Sequence, residues 1–218
     1  MLTLHFHPLS SFCHKVLIAL YENGTPFAPR LVDLGDAEQR AAFQALWPIG
    51  KFPVLQDSER DRMVPESSVI IEYLDQRYPG RTRFIPQDAE EARIVRFGDR
   101  FYDLHVHLHM QKIVGDRLRP AGAKDPHGVA DARTRMAAAL ALADKHIAGR
   151  TWAMGESFTL ADCAAAPALF YADKVAPFAG MYPNLVAYLD RLKQRPSYAR
   201  TLQEAEPYFK FFPKEEAA

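Results

Sequence analysis

Residues 2–24 read LTLHFHPLSSFCHKVLIALYENG, and the change of period inside this stretch decides the fold. Leu2, Leu4 and Phe6 alternate with Thr3 and His5, the two-residue repeat of a strand. After His7-Pro8-Leu9 the apolar positions move to Cys13, Val16, Leu17 and Leu20, a helical spacing, and Asn23-Gly24 supplies the stop. A strand has turned directly into a helix.

Working outward, Phe27 to Val32 forms a second apolar stretch, weakened as a strand by Pro29. Asp36 with Gln39 three residues on has capping-box spacing and opens a short helix to about Leu46. Pro53-Val54-Leu55 and Arg62-Met63-Val64 are short strands around the polar turn Asp57–Asp61. A helix then opens near Ser67, carries Ile70, Ile71 and Leu74 inward, and ends at Tyr78-Pro79-Gly80. The order β-α-β-α-β-β-α predicts a small sheet with helices on its faces, complete at residue 78. Residues 79–86, Pro79-Gly80 to Ile85-Pro86, read as a linker. Beyond them, over 87–218, the pattern is only helical: a long helix from about Asp88 to Val114, another from Gly128 to Ala148, and further helices starting at Thr159, after Pro183 and after Pro196. The fold class expected is α/β followed by all-α.

Composition narrows the function. Lys plus Arg equals Asp plus Glu at 27 each, so no net field draws the chain to nucleic acid or to a membrane surface. No apolar run approaches the roughly 20 residues that cross a bilayer. The N-terminus lacks the basic start and cleavage site of a secretory signal. Two cysteines, Cys13 and Cys163, are too few and too far apart for a disulfide framework. A cytoplasmic protein is expected.

Four places could carry chemistry. Ser10 and Ser11 stand where the first strand turns into the first helix. Unpaired N–H groups and the positive dipole end stabilise an anion there, and a hydroxyl can donate to a thiolate; either serine also serves as an ordinary N-cap. Cys13 makes Ser-x-x-Cys, a redox motif lacking its first sulfur, but its register with Val16, Leu17 and Leu20 predicts a buried, inert thiol. In Gly50-Lys51-Phe52-Pro53, the proline is either strand-edge chemistry or a cis peptide that turns the Phe52 main chain toward an extended ligand. Glu66-Ser67 opens the third helix, where Ser67 is a cap or a donor to a ligand carboxylate and Glu66 an acceptor for a ligand ammonium. Thr159 with Asp162 forms a capping box of structural meaning, with Phe158 placed as its staple. His105, His107 and His109 lie in the long helix, where only His105 and His109 share a face; without a carboxylate or cysteine partner they predict no metal. The aromatic tail Tyr208-Phe209-Lys210-Phe211-Phe212 either packs on a groove of the helical part or roofs a pocket.

Taken together, these residues resemble the glutathione transferase family across essentially the whole chain. Ser10-x-x-Cys13, Gly50-Lys51-Phe52-Pro53, Glu66-Ser67, Thr159-Leu160-Ala161-Asp162 and the run from Tyr182-Pro183-Asn184-Leu185 to Arg195-Pro196 stand in the family's order. The resemblance implies a thioredoxin-like N-terminal domain over 1–78, an all-helical C-terminal domain, a homodimer, and glutathione as co-substrate. Ser10 matches the catalytic hydroxyl of the serine-type classes (theta, zeta and delta), in the place where the beta and omega classes carry cysteine. Pro53 matches the family's cis-proline and Phe52 the residue whose main chain pairs with the cysteinyl part of glutathione. Glu66 and Ser67 match the pair at the γ-glutamyl end, and Lys51 the partner of the glycyl carboxylate. Two departures leave the class open: Trp47-Pro48 replaces the frequent Asn-Pro, and Ser10-Ser11-Phe12-Cys13 differs from the zeta Ser-Ser-Cys. The implied activity is a detoxifying attack of the glutathione thiolate on a hydrophobic electrophile, in a pocket walled by Phe12, Tyr102, His105 and His109. Alternatives are a glutathione-dependent isomerase of the maleylacetoacetate type, a dehalogenase, a reductase (which usually needs cysteine at position 10), or a non-catalytic glutathione-binding adaptor.

Overall fold

A computed structural model describes residues 1–215. Strand β1 (Leu2–Phe6) buries Leu2, Leu4 and Phe6, as its alternation requires. It lies parallel to β2 (Ala28–Leu31) and antiparallel to β3 (Val54–Asp57), which pairs antiparallel with β4 (Arg62–Pro65). The sheet order is β2-β1-β3-β4. Pro29 is accommodated because β2 is an edge strand, where a missing N–H costs no ladder bond. Helices α1 (Ser11–Glu22), α2 (Ala37–Leu46) and α3 (Ser67–Arg77) complete a thioredoxin-like unit.

The remaining elements are helical: α4 (Ala89–Phe101), a π-helical turn (Tyr102–His107), α5 (Leu108–Arg117), α6 (Pro126–Ile147), α7 (Leu160–Val175), α8 (Pro183–Gln194), α9 (Pro196–Ala205) and a 3₁₀ turn (Glu206–Phe211). Helix α1 is packed against α3, α7 and α9 at once. For that reason every residue from Cys13 to Leu20 is buried, not merely one stripe. Burying Val16, Leu17, Ile18 and Leu20 contributes about 1.5–3 kcal/mol each. Helix α7 achieves close packing with Ala161, Ala164, Ala165, Ala166 and Ala168, all buried. A Cβ at Gly98 on α4 would come within 2.6 Å of the Met154 side chain and 2.8 Å of Ala161 Cβ, so only glycine lets α4 approach that closely.

Local capping largely follows the sequence. The reciprocal box at Thr159 and Asp162 is present. At Asp36 only half a box forms: Oδ1 accepts from Gln39 N at 2.9 Å, while Gln39 Oε1 accepts from Asp33 N at 3.1 Å instead of returning to Asp36. The expected long helix is continuous from Ala89 to Arg117 but carries a π-helical turn at Tyr102–His107, and the second long helix starts earlier, capped by Asp125 ahead of Pro126. Ser67 is not the cap of α3; Glu66 occupies that position, without a side-chain capping bond.

Candidate functional site

Ser10 holds the N-cap of α1 in an extended conformation, and its Oγ accepts from Cys13 N at 3.4 Å. Its hydroxyl hydrogen has no oxygen or nitrogen acceptor among the described residues, and the buried Cys13 sulfur beside it is a weak one. No acidic side chain stands in the first turn of α1, so nothing there opposes an anion. Ser11 differs. Its hydroxyl is buried and lies 2.7 Å from His107 Nε2, while the Phe12 ring stacks on His107 with centroids 4.2 Å apart. Burial lowers the His107 pKa to about 3, so this imidazole is neutral. Cys13 is wholly buried, and burial pushes its thiol up to about 12 against the opposing bonds from Ser10 and His7. A thiol so placed takes no part in redox exchange.

The Phe52–Pro53 peptide is cis. Facing it, Glu66 is held at φ 70°, a left-handed conformation rare outside glycine, costing about 1–3 kcal/mol. That kink aims the start of α3. The first helical bond of α3 runs from Ile70 N to Glu66 O at 2.8 Å, which leaves the N–H groups of Ser67, Ser68 and Val69 without helical partners. Lys51, Phe52, Pro53, Glu66, Ser67 and Phe12 all line one cavity of about 510 Å³, together with Ser68, Val69, Arg100, Asp103, Leu104, Leu108 and Gln111. The lining therefore combines Lys51, Arg100, Glu66 and free helix N–H groups with the apolar Phe12, Val69, Leu104 and Leu108. Ser10 does not itself line this cavity but caps the helix whose Phe12 does.

Behind the cavity lies a cluster that pattern reading missed. Lys15, fully buried on α1, donates from Nζ to Asp99 Oδ1 at 2.6 Å, Asp103 Oδ2 at 2.8 Å and Ser68 Oγ at 2.9 Å. Ser68 in turn donates to Asp99 Oδ2 at 2.8 Å, and Arg100 bonds Asp103 from the rim. Burial raises the Asp103 pKa, with Lys15 pulling the other way, and Asp103 Oδ1 is buried without a hydrogen-bond partner. One ammonium thus ties α1, α3 and α4 together. The signal was a lysine inside an otherwise apolar helical run.

Three expected pocket residues lie elsewhere. Tyr102 is buried beside Gly98 and Met154, and His105 and His109 line a separate shallow hollow with Phe97, Phe101 and Arg135. Phe97, Phe101, His105 and His109, four apart, share that outer face, while Arg100, Asp103, Leu104, Leu108 and Gln111 face the cavity. The π-helical turn adds a residue to the local period and shifts which side chains look inward. The aromatic tail does not line the cavity either. Phe209 packs on Phe170, Phe212 stacks on Tyr171, and Tyr208 sets its edge against His7, whose ring stacks on Phe52. Among the described residues no group of three or more His, Cys, Asp or Glu side chains could hold a metal ion, and no helix is long and apolar enough to cross a membrane.

The family signature described as "Glutathione S-transferase, N-terminal domain" matches residues 4–82, and "Glutathione S-transferase, C-terminal domain" matches 101–196. The glutathione S-transferase-like protein LUC7 of Fusarium sp is 33% identical over 163 residues, covering 72% of this chain and 71% of that one. Glutathione S-transferase GstB of Escherichia coli K12 is 27% identical, covering 93% of this chain and 98% of its own. A stringent starvation protein A homolog of Haemophilus influenzae is 29% identical, covering 95% and 92% respectively. The crystal structure of a glutathione S-transferase from Methylobacillus flagellatus with glutathione bound superposes with a TM-score of 0.84 at 29% identity, covering 92% of this chain and 98% of that one. With both halves matched and the fold shared from end to end, the chain belongs to the glutathione S-transferase family.

Proposed function

We propose that the chain is a glutathione transferase of the serine type. In this reading residues 1–78 bind glutathione, 79–86 are the linker, and 87–218 contribute to the electrophile pocket. The observation that carries it is the convergence of Lys51, Phe52, Pro53, Glu66 and Ser67 on one cavity with Phe12, at the start of α1. The γ-glutamyl carboxylate docks on the free N–H groups of α3 with Ser67, its ammonium faces Glu66, and Lys51 meets the glycyl carboxylate. The Phe52 main chain pairs with the cysteinyl unit.

Ser10, whose hydroxyl hydrogen faces no stronger acceptor among the described residues than the Cys13 thiol, donates to the glutathione sulfur; Ser11 is already bonded to His107. Lowering a thiol pKa from about 8.5 by about 2 units requires roughly 2.7 kcal/mol. A charge-assisted hydrogen bond of about 1.5–3 kcal/mol plus the dipole of α1 supplies it. The thiolate then uses its electron pair to form a new S–C bond. A leaving group departs with the displaced pair, or an activated double bond takes the pair and then a proton. Phe12, Val69, Leu104 and Leu108 form the electrophile wall, replacing Tyr102, His105 and His109 in that role.

The kinship to a stringent starvation protein A homolog favours one second reading, a scaffold that does not turn over. Ser10→Ala separates the two. The transferase reading expects kcat/KM toward electrophiles to fall about tenfold to a hundredfold, and the bound thiol's pKa, read from thiolate absorbance, to rise. Cys13→Ala should cost stability and leave that pKa alone. Absence of turnover with any electrophile despite tight glutathione binding would favour the scaffold; loss of turnover in Cys13→Ala alone would point to thiol redox chemistry.

A further inference from the structure

The loop His7–Ser10, which delivers the thiolate donor, is held by side chains from well outside it. Ser10 N donates to His7 O at 2.9 Å, and Leu9 N donates to His7 Nδ1 at 3.2 Å. His14 Nε2 donates to Pro8 O at 2.6 Å, and the Tyr171 hydroxyl donates to Leu9 O at 2.8 Å. Consecutive carbonyls of the loop are thus each gripped by a ring, one from α1 and one from α7. Tyr171 is itself fixed, stacked on Phe212 of the tail with centroids 5.5 Å apart and tilted against His14 at 5.7 Å. Leu9 is the residue directly before Ser10, so the carbonyl that Tyr171 holds belongs to the peptide unit whose N–H is that of Ser10.

We propose that Tyr171, on the helical part of the chain, is a positioning residue for the Ser10 hydroxyl: its hydrogen bond to Leu9 O sets the direction from which Ser10 donates to the glutathione sulfur. The inference rests on the transferase reading above. Tyr171 touches neither ligand. It acts by removing slack from the one peptide unit that carries the donor, because a hydrogen bond to a thiolate weakens steeply when its donor swings out of line. The anchoring proposed for the γ-glutamyl end, at Glu66 and Ser67, involves neither Leu9 nor Tyr171 and is independent of this bond.

The test uses the full-length protein with glutathione and a chromogenic aryl electrophile. Tyr171→Phe keeps the ring, the Phe212 stack and the His14 contact and deletes only the hydroxyl. It should lower kcat/KM about threefold to tenfold, mostly in kcat, and raise the bound thiol's pKa by about half a unit, while the dissociation constant of glutathione stays within about twofold. Tyr198→Phe is the control: it keeps the ring and deletes a buried hydroxyl that is bonded to Ala166 O at 3.2 Å and not to the loop, and it should leave the thiol pKa unchanged. In a Ser10→Ala background Tyr171→Phe should have no further effect on the thiol pKa, because there is no donor left to position. Equal pKa shifts in Tyr171→Phe and Tyr198→Phe, or a Tyr171→Phe effect that persists without Ser10, overturn the inference. If Ser10→Ala leaves the thiol pKa where it was, the transferase reading itself falls; if Ser10→Ala shifts it and Tyr171→Phe does not, only the inference falls.

Discussion

Replacing Lys15 by methionine removes the cation at the centre of the charge cluster while keeping the length of its apolar stem. In the native protein Nζ meets Asp99 and Asp103 at 2.6 and 2.8 Å, and the side chains involved are 0%, 3% and 5% exposed. Solvent cannot screen what remains after the substitution. Breaking a buried pair by removing one partner costs about 3–5 kcal/mol, because the other charge stays behind without water. Arg100 still pairs with Asp103 and Asp99, but it is half exposed and offsets only part of the loss. The pH dependence follows from the direction of the Asp103 shift. Its native pKa lies above the ordinary 3.8 because of burial, and removing Lys15 removes an influence that lowers it. Between the unfolded value and the raised native value, the folded state holds the extra proton, so the group destabilises as pH rises. Lys15→Met should therefore lose about 3–5 kcal/mol at about pH 7.5 and recover a substantial part by about pH 5. Equilibrium unfolding in urea, run at both pH values and at one protein concentration, measures this. A deficit below about 1 kcal/mol at neutral pH, or one identical at the two pH values, would refute the reasoning.

Ser67→Ala should weaken glutathione binding by about 1–2 kcal/mol, the scale of one hydrogen bond to a charged group; calorimetry showing unchanged affinity would remove Ser67 from the site. Asp162→Ala should cost about 3 kcal/mol or more, beyond a simple cap, because this buried carboxylate accepts from Ala153 N, Thr159 N, Thr159 Oγ1 and the Tyr188 hydroxyl. A melting midpoint equal to wild type would contradict that, and folded mutant should retain its activity per molecule. We expect a homodimer from the family resemblance and the exposed apolar side chains Ile94, Phe97 and Leu142; sedimentation should give twice the chain mass at micromolar concentration, and Phe97→Lys should lower it toward the monomer.

Sequence alone determined what depends on neighbours along the chain. The two-residue alternation of Leu2, Leu4 and Phe6, the helical spacing after Ser10, and the box at Thr159 and Asp162 are local patterns whose physics is complete within a turn or two. Motif order then supplied the family. The segments Lys51-Phe52-Pro53 and Glu66-Ser67, which meet at the cavity, could be picked out for the same reason, since each is contiguous at an element end. The tertiary structure decided what depends on residues distant in sequence. Lys15 reads as an ordinary helical lysine until α4 brings Asp99 and Asp103 to it from across the chain. The proposal of Ser10 over Ser11 rests on the Ser11–His107 bond, and the fastening of Leu9 on Tyr171. Tyr102, His105 and His109 stand away from the cavity because a π-helical turn at Tyr102–His107 rotates the faces of the long helix, and whether a helix admits that extra residue is settled by the side chains it must fit between, not by its own periodicity.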